Sequence, residues 1–91
     1  MADDRESAIV RARADLAARL GVAAGEIKEE SVEDADFPDA SLGAPVRGEM
    51  SGMMITPGWR IRLRAAGHVY EYRANRNQLR LFKYKGTNFK L

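Results

Sequence analysis

Between Trp59 and Arg73 apolar and charged residues change places at almost every step, and this alternation constrains the fold more than any other feature of the chain. Trp59, Ile61 and Leu63 alternate with Arg60, Arg62 and Arg64; after Ala66-Gly67, Tyr70 and Tyr72 alternate with Val69, Glu71 and Arg73. A two-residue period marks strands with one face buried. A two-residue turn at Ala66-Gly67 predicts Leu63 opposite Tyr70, Ile61 opposite Tyr72 and Arg62 opposite Glu71. Such cross-strand pairs contribute about 0.2–1 kcal/mol each, and a slip of one residue would bury the arginines, so the register is strongly specified. A second turn at Asn75-Arg76-Asn77 leads to Gln78–Tyr84. With Arg76-Asn77 as its two-residue loop, Leu79 faces Ala74 and Leu81 faces Tyr72 on the same core side.

Upstream, Ile9, Ala12, Leu16 and Leu20 recur at steps of three and four, with Val10 and Ala17 flanking, which predicts a helix over about residues 4–20. Asp3 and Asp4, or Ser7, are the candidate caps, and Gly21 is placed to end the helix in a left-handed conformation. Residues 27–36 carry no clean apolar parity and many carboxylates, which predicts an irregular edge strand with a bulge. Residues 38–52 read as a long loop rich in Pro, Gly and Ser, the antiparallel sheet as 53–84, and residues 86–91 as a frayed tail. The expectation is a single α+β domain over 1–91, one N-terminal helix on a short antiparallel sheet of about three to four strands, in two layers.

At 91 residues, with 45% apolar and 31% charged residues, the chain suits one small globular domain rather than a disordered segment. No apolar run approaches the roughly 20 residues that span a bilayer. The acidic start, Met-Ala-Asp-Asp-Arg-Glu, is unlike a signal peptide, so a cytoplasmic location is expected unless an upstream segment has been trimmed away. With no cysteine, disulfides, thiolate metal sites and a cysteine nucleophile are excluded.

The net charge of +2 hides an asymmetry. Residues 1–46 sum to −6 and residues 47–91 to +8. Either a basic half meets an acidic partner, nucleic acid included, or the halves neutralise each other; a single small domain favours the second.

The segment Phe37-Pro38-Asp39-Ala40-Ser41-Leu42-Gly43-Ala44-Pro45 resembles one in a small bacterial domain often seen in uncharacterised proteins and lipoproteins. There it typically reads Trp-Pro-Asp, one variable residue, then Ser-Leu-Gly-Cys-Pro. Ile55-Thr56-Pro57-Gly58-Trp59-Arg60-Ile61 matches a second motif of that domain, and Leu20-Gly21 and Tyr70-Glu71-Tyr72 keep its order. The resemblance covers roughly residues 11–84 and implies no established activity. Ala44 stands where many members have cysteine, so a disulfide-anchored form is not implied here. Phe37 in place of tryptophan would still fill an apolar site. Physically these residues shape the loop: Pro38 and Asp39 initiate a turn, Ser41 bonds local backbone, Gly43 and Gly58 suit positive φ, and Pro57-Gly58 predicts a bulge or bend.

No catalytic site, cofactor or metal centre is expected. His68 is the only histidine and follows a turn, Ser41 has no adjacent base, Asp34 and Asp36 read as a solvated edge, and no glycine-rich loop opens a helix. The outer face of the sheet is the candidate binding surface: Arg60, Arg62, Arg64, Arg73 and Arg80 with Phe82 and Tyr84. Three readings of it stand open: a solvated or self-complemented face, a dock for an acidic protein or a second copy, and a single-stranded nucleic-acid platform. Asp39, Ser41 and Arg47 are loop candidates, with a protease-inhibitor-like role for 38–52 as a further reading. Met50, Met53 and Met54 could form an adaptable contact patch, but Met53 and Met54 beside Ile55 read better as strand core. The function expected is a non-catalytic interaction module, for a protein partner or self-association, with nucleic-acid binding the alternative and no membrane partner.

Overall fold

The computed structural model describes residues 4–91. Helix α1 (Asp4–Leu20) leads through a short 3-10 turn (Ala24–Glu26) into strands β1 (Lys28–Phe37), β2 (Thr56–Ala65), β3 (His68–Ala74), β4 (Leu79–Tyr84) and β5 (Thr87–Lys90). All neighbours pair antiparallel, in the order β1-β2-β3-β4-β5, and α1 packs across one face against β2. The protein is thus α+β, with a helix on an open five-stranded sheet. Asp3, one of the expected caps, lies outside the described residues.

The helix forms where its apolar stripe meets the sheet. Ala8, Ile9, Ala12 and Leu16 are buried, and Leu20 and Ala17 pack at the margin. Val10, expected to flank the stripe, faces solvent instead at 62% exposure, because one step of about 100° from Ile9 carries it off the buried arc. Ile61, Leu63, Tyr72, Ala74, Leu79 and Leu81 form the sheet side of this core. At its margin the Tyr72 hydroxyl donates to Asp15 of the helix at 2.7 Å, and Arg19 Nε donates to the same carboxylate at 2.7 Å. Burial and that carboxylate together push the Tyr72 phenol well above its ordinary value.

The β2–β3 hairpin has the register expected: Leu63 opposite Tyr70, Ile61 opposite Tyr72, Arg62 opposite Glu71. Ala66 and Gly67 both have positive φ, 51° and 79°, as a type I′ turn requires. Leu79 faces Ala74 and Leu81 faces Tyr72, also as expected, and Asn75 Oδ1 caps the turn by accepting from the Asn77 and Gln78 amides. The edge strand β1 carries its bulge between Glu29 and Ser31.

Four expectations need correction. The tail is not frayed: Thr87–Lys90 is a fifth strand, and the Leu91 amide donates to Leu79 O at 3.0 Å. Tyr84 does not lie on the outer face. Lys83 takes a left-handed φ of 48° at a bulge between Leu81 and Tyr84, so the alternation skips a residue and Tyr84 turns onto the helix side, against Tyr70 and Phe89. Met53, Met54 and Ile55 are not strand core. Strand β2 starts only at Thr56, and these three side chains are 88%, 63% and 74% exposed. Finally, Pro57-Gly58 makes no bulge and Gly58 has no positive φ: the β1–β2 register runs unbroken through both, and a Cβ at Gly58 would sit 2.3 Å from the Ala74 carbonyl oxygen. Close backbone approach, not turn geometry, requires glycine there.

Candidate functional site

The pleat sends Arg60, Arg62 and Arg64 of β2, Arg73 of β3 and Arg80 and Phe82 of β4 to the face away from α1. Arg60, Arg73 and Arg80 lie directly opposite one another across three strands. Like charges in one cross-strand row repel, so the row is stable only with anions or carbonyl oxygens set among the guanidinium groups. The chain supplies both. Glu71 accepts from Arg73 Nε at 2.8 Å and from Arg62 Nε at 3.3 Å, with Arg60 Nε 3.4 Å away. Glu33 of β1 lies 3.8 Å from Arg60 and 3.7 Å from Arg62. Glu30, projected by the bulge, holds Arg64 through two bonds of 2.9 and 3.2 Å, which also lowers the Glu30 carboxyl below its ordinary value.

The remaining donors hold the loop of residues 38–52 flat on this face. One Asp39 oxygen accepts from the Ser41 hydroxyl at 2.6 Å and from the Ser41 and Gly43 amides at 3.0 Å each. Those bonds depress the Asp39 pKa, the hydroxyl contributing most. So Ser41 bonds a side chain rather than backbone, and lets Leu42 and Gly43 take positive φ of 59° and 66°. Their carbonyls then turn to Arg73 Nη1, 3.1 Å from each. Arg80 is 2% exposed; it donates to Ala44 O at 3.2 Å and grips Glu49 bidentately at 2.5 and 2.6 Å. That grip takes the Glu49 carboxyl down to about 2. Gln78 Nε2 donates to Ala40 O at 2.7 Å and Asn88 Nδ2 to Pro45 O at 2.9 Å.

Beneath the loop lies a small second core. Phe37, Ser41, Leu42 and Ala44 are buried there. The Arg73 guanidinium stacks 3.6 Å from the Phe82 ring centroid and 5.4 Å from that of Phe37, with Arg60 5.7 Å from Phe37 on its other flank. Phe37 does fill an apolar site, one formed by the loop and not by the helix.

Of the arginines expected to bind a partner, Arg73 and Arg80 therefore hold the protein's own loop, and Arg60, Arg62 and Arg64 are paired with carboxylates while keeping 30%, 42% and 47% side-chain exposure. Phe82 is half-covered by Arg73, and Tyr84 belongs to the opposite face. Among the loop candidates, Asp39 and Ser41 form the turn, while Arg47 is exposed at the tip of a Val46–Glu49 turn. Glu49, Gln78 and Asn88 are the loop anchors that sequence reasoning missed, since no spacing ties them to the residues they reach. His68 is exposed, with its ring edge-on to Tyr70. Among the described residues no group of three His, Asp or Glu side chains converges to hold a metal ion.

Two of the open surfaces adjoin the loop and the edge strand. The segment from Met50 to Ile55 leaves the loop with Met50 98% exposed beside the exposed Met53, Met54 and Ile55. On the helix side of the sheet, beyond the start of α1, a cleft of about 430 Å³ is lined by Asp34, Asp36, Pro57, Trp59, Asn75 and Arg76.

Residues 9–82 match the family model described as a domain of unknown function, DUF8738. The chain belongs to that family. The match takes in the helix stripe from Ile9, the loop, β2, β3 and β4 as far as Phe82, so the arginine-held loop lies wholly inside the DUF8738 domain. No curated protein and no solved structure matches the chain. Among the described residues no helix is long and apolar enough to cross a membrane.

Proposed function

We propose that this DUF8738 domain is a non-catalytic protein-interaction module whose contact surface is centred on Met50–Ile55. One observation carries the reading: four large apolar side chains stand 63–98% exposed within six residues, whereas the Leu and Phe side chains of the preceding strand and loop, Phe37 and Leu42, are buried to 1% or less. Large apolar side chains exposed in one short segment gain by being covered by another surface. Methionine suits the task, because its unbranched, polarizable side chain adapts to a partner's shape. The segment is also positioned rather than loose. The Ala40 amide donates to Gly52 O at 3.0 Å, Arg80 fixes Glu49 just before it, and the Thr56 hydroxyl donates to Met54 O at 3.1 Å. Preorganisation of that sort lowers the entropy cost of binding.

The internal use of the arginines supports a protein partner over a nucleic acid. A phosphate backbone needs free guanidinium groups, and here it would compete with Glu30, Glu33, Glu49 and Glu71 for each of them. The test is site-specific photo-crosslinking in the source cell, with a crosslinker at position 53 and a control at exposed Arg11. A protein adduct found from position 53 alone, competed by added wild-type domain and not by a Met53→Ser/Met54→Ser/Ile55→Ser domain, supports the reading. Equal adducts from both positions, or competition by the triple variant, refute it.

A further inference from the structure

We propose that the free edge of β1 takes up an extended basic segment of a protein partner as an added strand, with one lysine or arginine side chain seated in the cleft beside Trp59. The inference deepens the interaction reading above by naming the partner's chemistry, and it rests on that reading.

The backbone of β1 offers an edge whose open groups follow from the ladder. Ala65 and His68 close a two-residue hairpin, so Leu63, Ile61 and Trp59 exchange hydrogen bonds with their β3 partners Tyr70, Tyr72 and Ala74. The main-chain groups of Ile61 and Trp59 therefore point to β3. Their β1 partners, Val32 and Asp34, turn N–H and C=O away from the sheet, as does Asp36 opposite Pro57. Pro57 lacks an N–H and loses no bond to β1 at that position. Arg5 Nη2 of α1 lies 3.5 Å from the Val32 carbonyl, a long contact that an added strand displaces at that position, while the groups of Asp34 and Asp36 stay open.

The side chains at these same positions select the occupant. Val32, Asp34 and Asp36 share the helix-side face with Trp59, and the two carboxylates and the indole line the cleft. Glu30 and Glu33 on the outer face are satisfied by Arg64, Arg60 and Arg62. Among the described residues no ion pair engages Asp34 or Asp36. Arg76, the one cation of the cleft, is paired with Asp4 at 2.7 Å, so the cleft keeps a net negative charge. A cation beside an aromatic ring and between two carboxylates gains from both. The same acidic row repels a second β1, which removes the symmetric edge-to-edge dimer as the occupant. An added strand brings side chains to this face at every second residue, so a segment of alternating basic and apolar residues matches the spacing of Val32, Asp34 and Asp36. Pro57 of the cleft is two residues from Ile55, which makes the cleft continuous along the chain with the exposed apolar segment.

The experiment is an amide NMR titration of the full domain with a blocked seven-residue strand of alternating lysine and valine, followed in parallel by the fluorescence of Trp59, the chain's one tryptophan. The expected result is saturable shifts of the residue 32, 34 and 36 amides together with a change in Trp59 emission. Affinity should fall about tenfold in Asp34→Asn/Asp36→Asn and in Trp59→Ala, the first a surface pair that keeps the fold. A strand N-methylated at alternate residues should not bind, and neither should one with glutamate in place of lysine. Equal binding of the N-methylated strand, or of the glutamate strand, overturns the proposal, as does the absence of any shift in β1. If β1 stays silent while position 53 still gives competed adducts, the added strand is refuted and the interaction module stands. If both fail, both are refuted.

Discussion

Asp39 and Glu49 show how single carboxylates decide where a loop of fifteen residues lies. Asp39 closes the turn that turns the Leu42 and Gly43 carbonyls toward Arg73, and Glu49 neutralises an Arg80 that would otherwise be a buried unpaired charge. Because the Arg80 hydrogen bonds hold Glu49 at about 2 instead of the ordinary 4.5, protonation is costlier in the folded state. Its contribution is fully present above the ordinary value and is lost as pH falls from about 4.5 through about 2. Protection of the Ala44 and Glu49 amides should therefore decay across that window before the core unfolds, as followed by hydrogen exchange; loop protection unchanged down to pH 2 would contradict it. Gly58 is decisive in another way. A methyl group there meets the Ala74 carbonyl oxygen at 2.3 Å and the Phe37 ring at 3.2 Å, and both belong to buried layers that cannot yield. Gly58→Ala should lower the free energy of unfolding by about 2–3 kcal/mol in a denaturant titration.

At the scale of elements, what was legible in the sequence is what local periodicity determines. Ile9, Ala12 and Leu16 place the helix, and the alternation of Trp59 to Arg64 with Tyr70 to Arg73 sets the hairpin register to the residue. What stayed hidden depends on partners distant in sequence or on departures from alternation. The bulge at Lys83 reverses Tyr84, and it rests on Asn88 Oδ1 accepting from the Lys83 amide at 2.8 Å, a bond no local pattern announces. The same side chain ties β5 to the loop at Pro45, which is why residues 87–90 are a strand and not a tail. Met53 and Met54 alternate with nothing on the facing strand, since β1 ends at Phe37 opposite Thr56. The β2–β3 turn carries a correctable cost: Ala66 holds φ at 51°, where a Cβ is unfavourable and asparagine is tolerated. Ala66→Asn, giving the Asn-Gly pair preferred in type I′ turns, should raise stability by roughly 0.5–1 kcal/mol in thermal or denaturant unfolding.

Over the whole molecule, the charge asymmetry read from the sequence is in part self-complemented. Glu30 and Glu33 of β1 and Asp4 of α1 meet Arg64, Arg60, Arg62 and Arg76 of the basic half, while Glu49 and Glu71 pair with arginines of their own half. The sheet has the helix on one side and, over part of the other, a loop held by guanidinium groups. With Arg73 and Arg80 of that basic face engaged by the loop, the apolar segment 50–55 and the acidic edge of β1 remain exposed. The most direct test is native-state hydrogen exchange at the Ser41, Gly43 and Ala44 amides in the wild type and in Arg73→Lys and Arg80→Lys, which keep the charge and lose the forked donor geometry. Arginine-held docking predicts that these amides are protected in the wild type, that protection drops in both variants, and that Ile61 and Tyr72 amides in the main core stay slow. Loop amides that exchange freely in the wild type would contradict it, and would return Arg73 and Arg80 to the solvent as groups free to hold a nucleic acid.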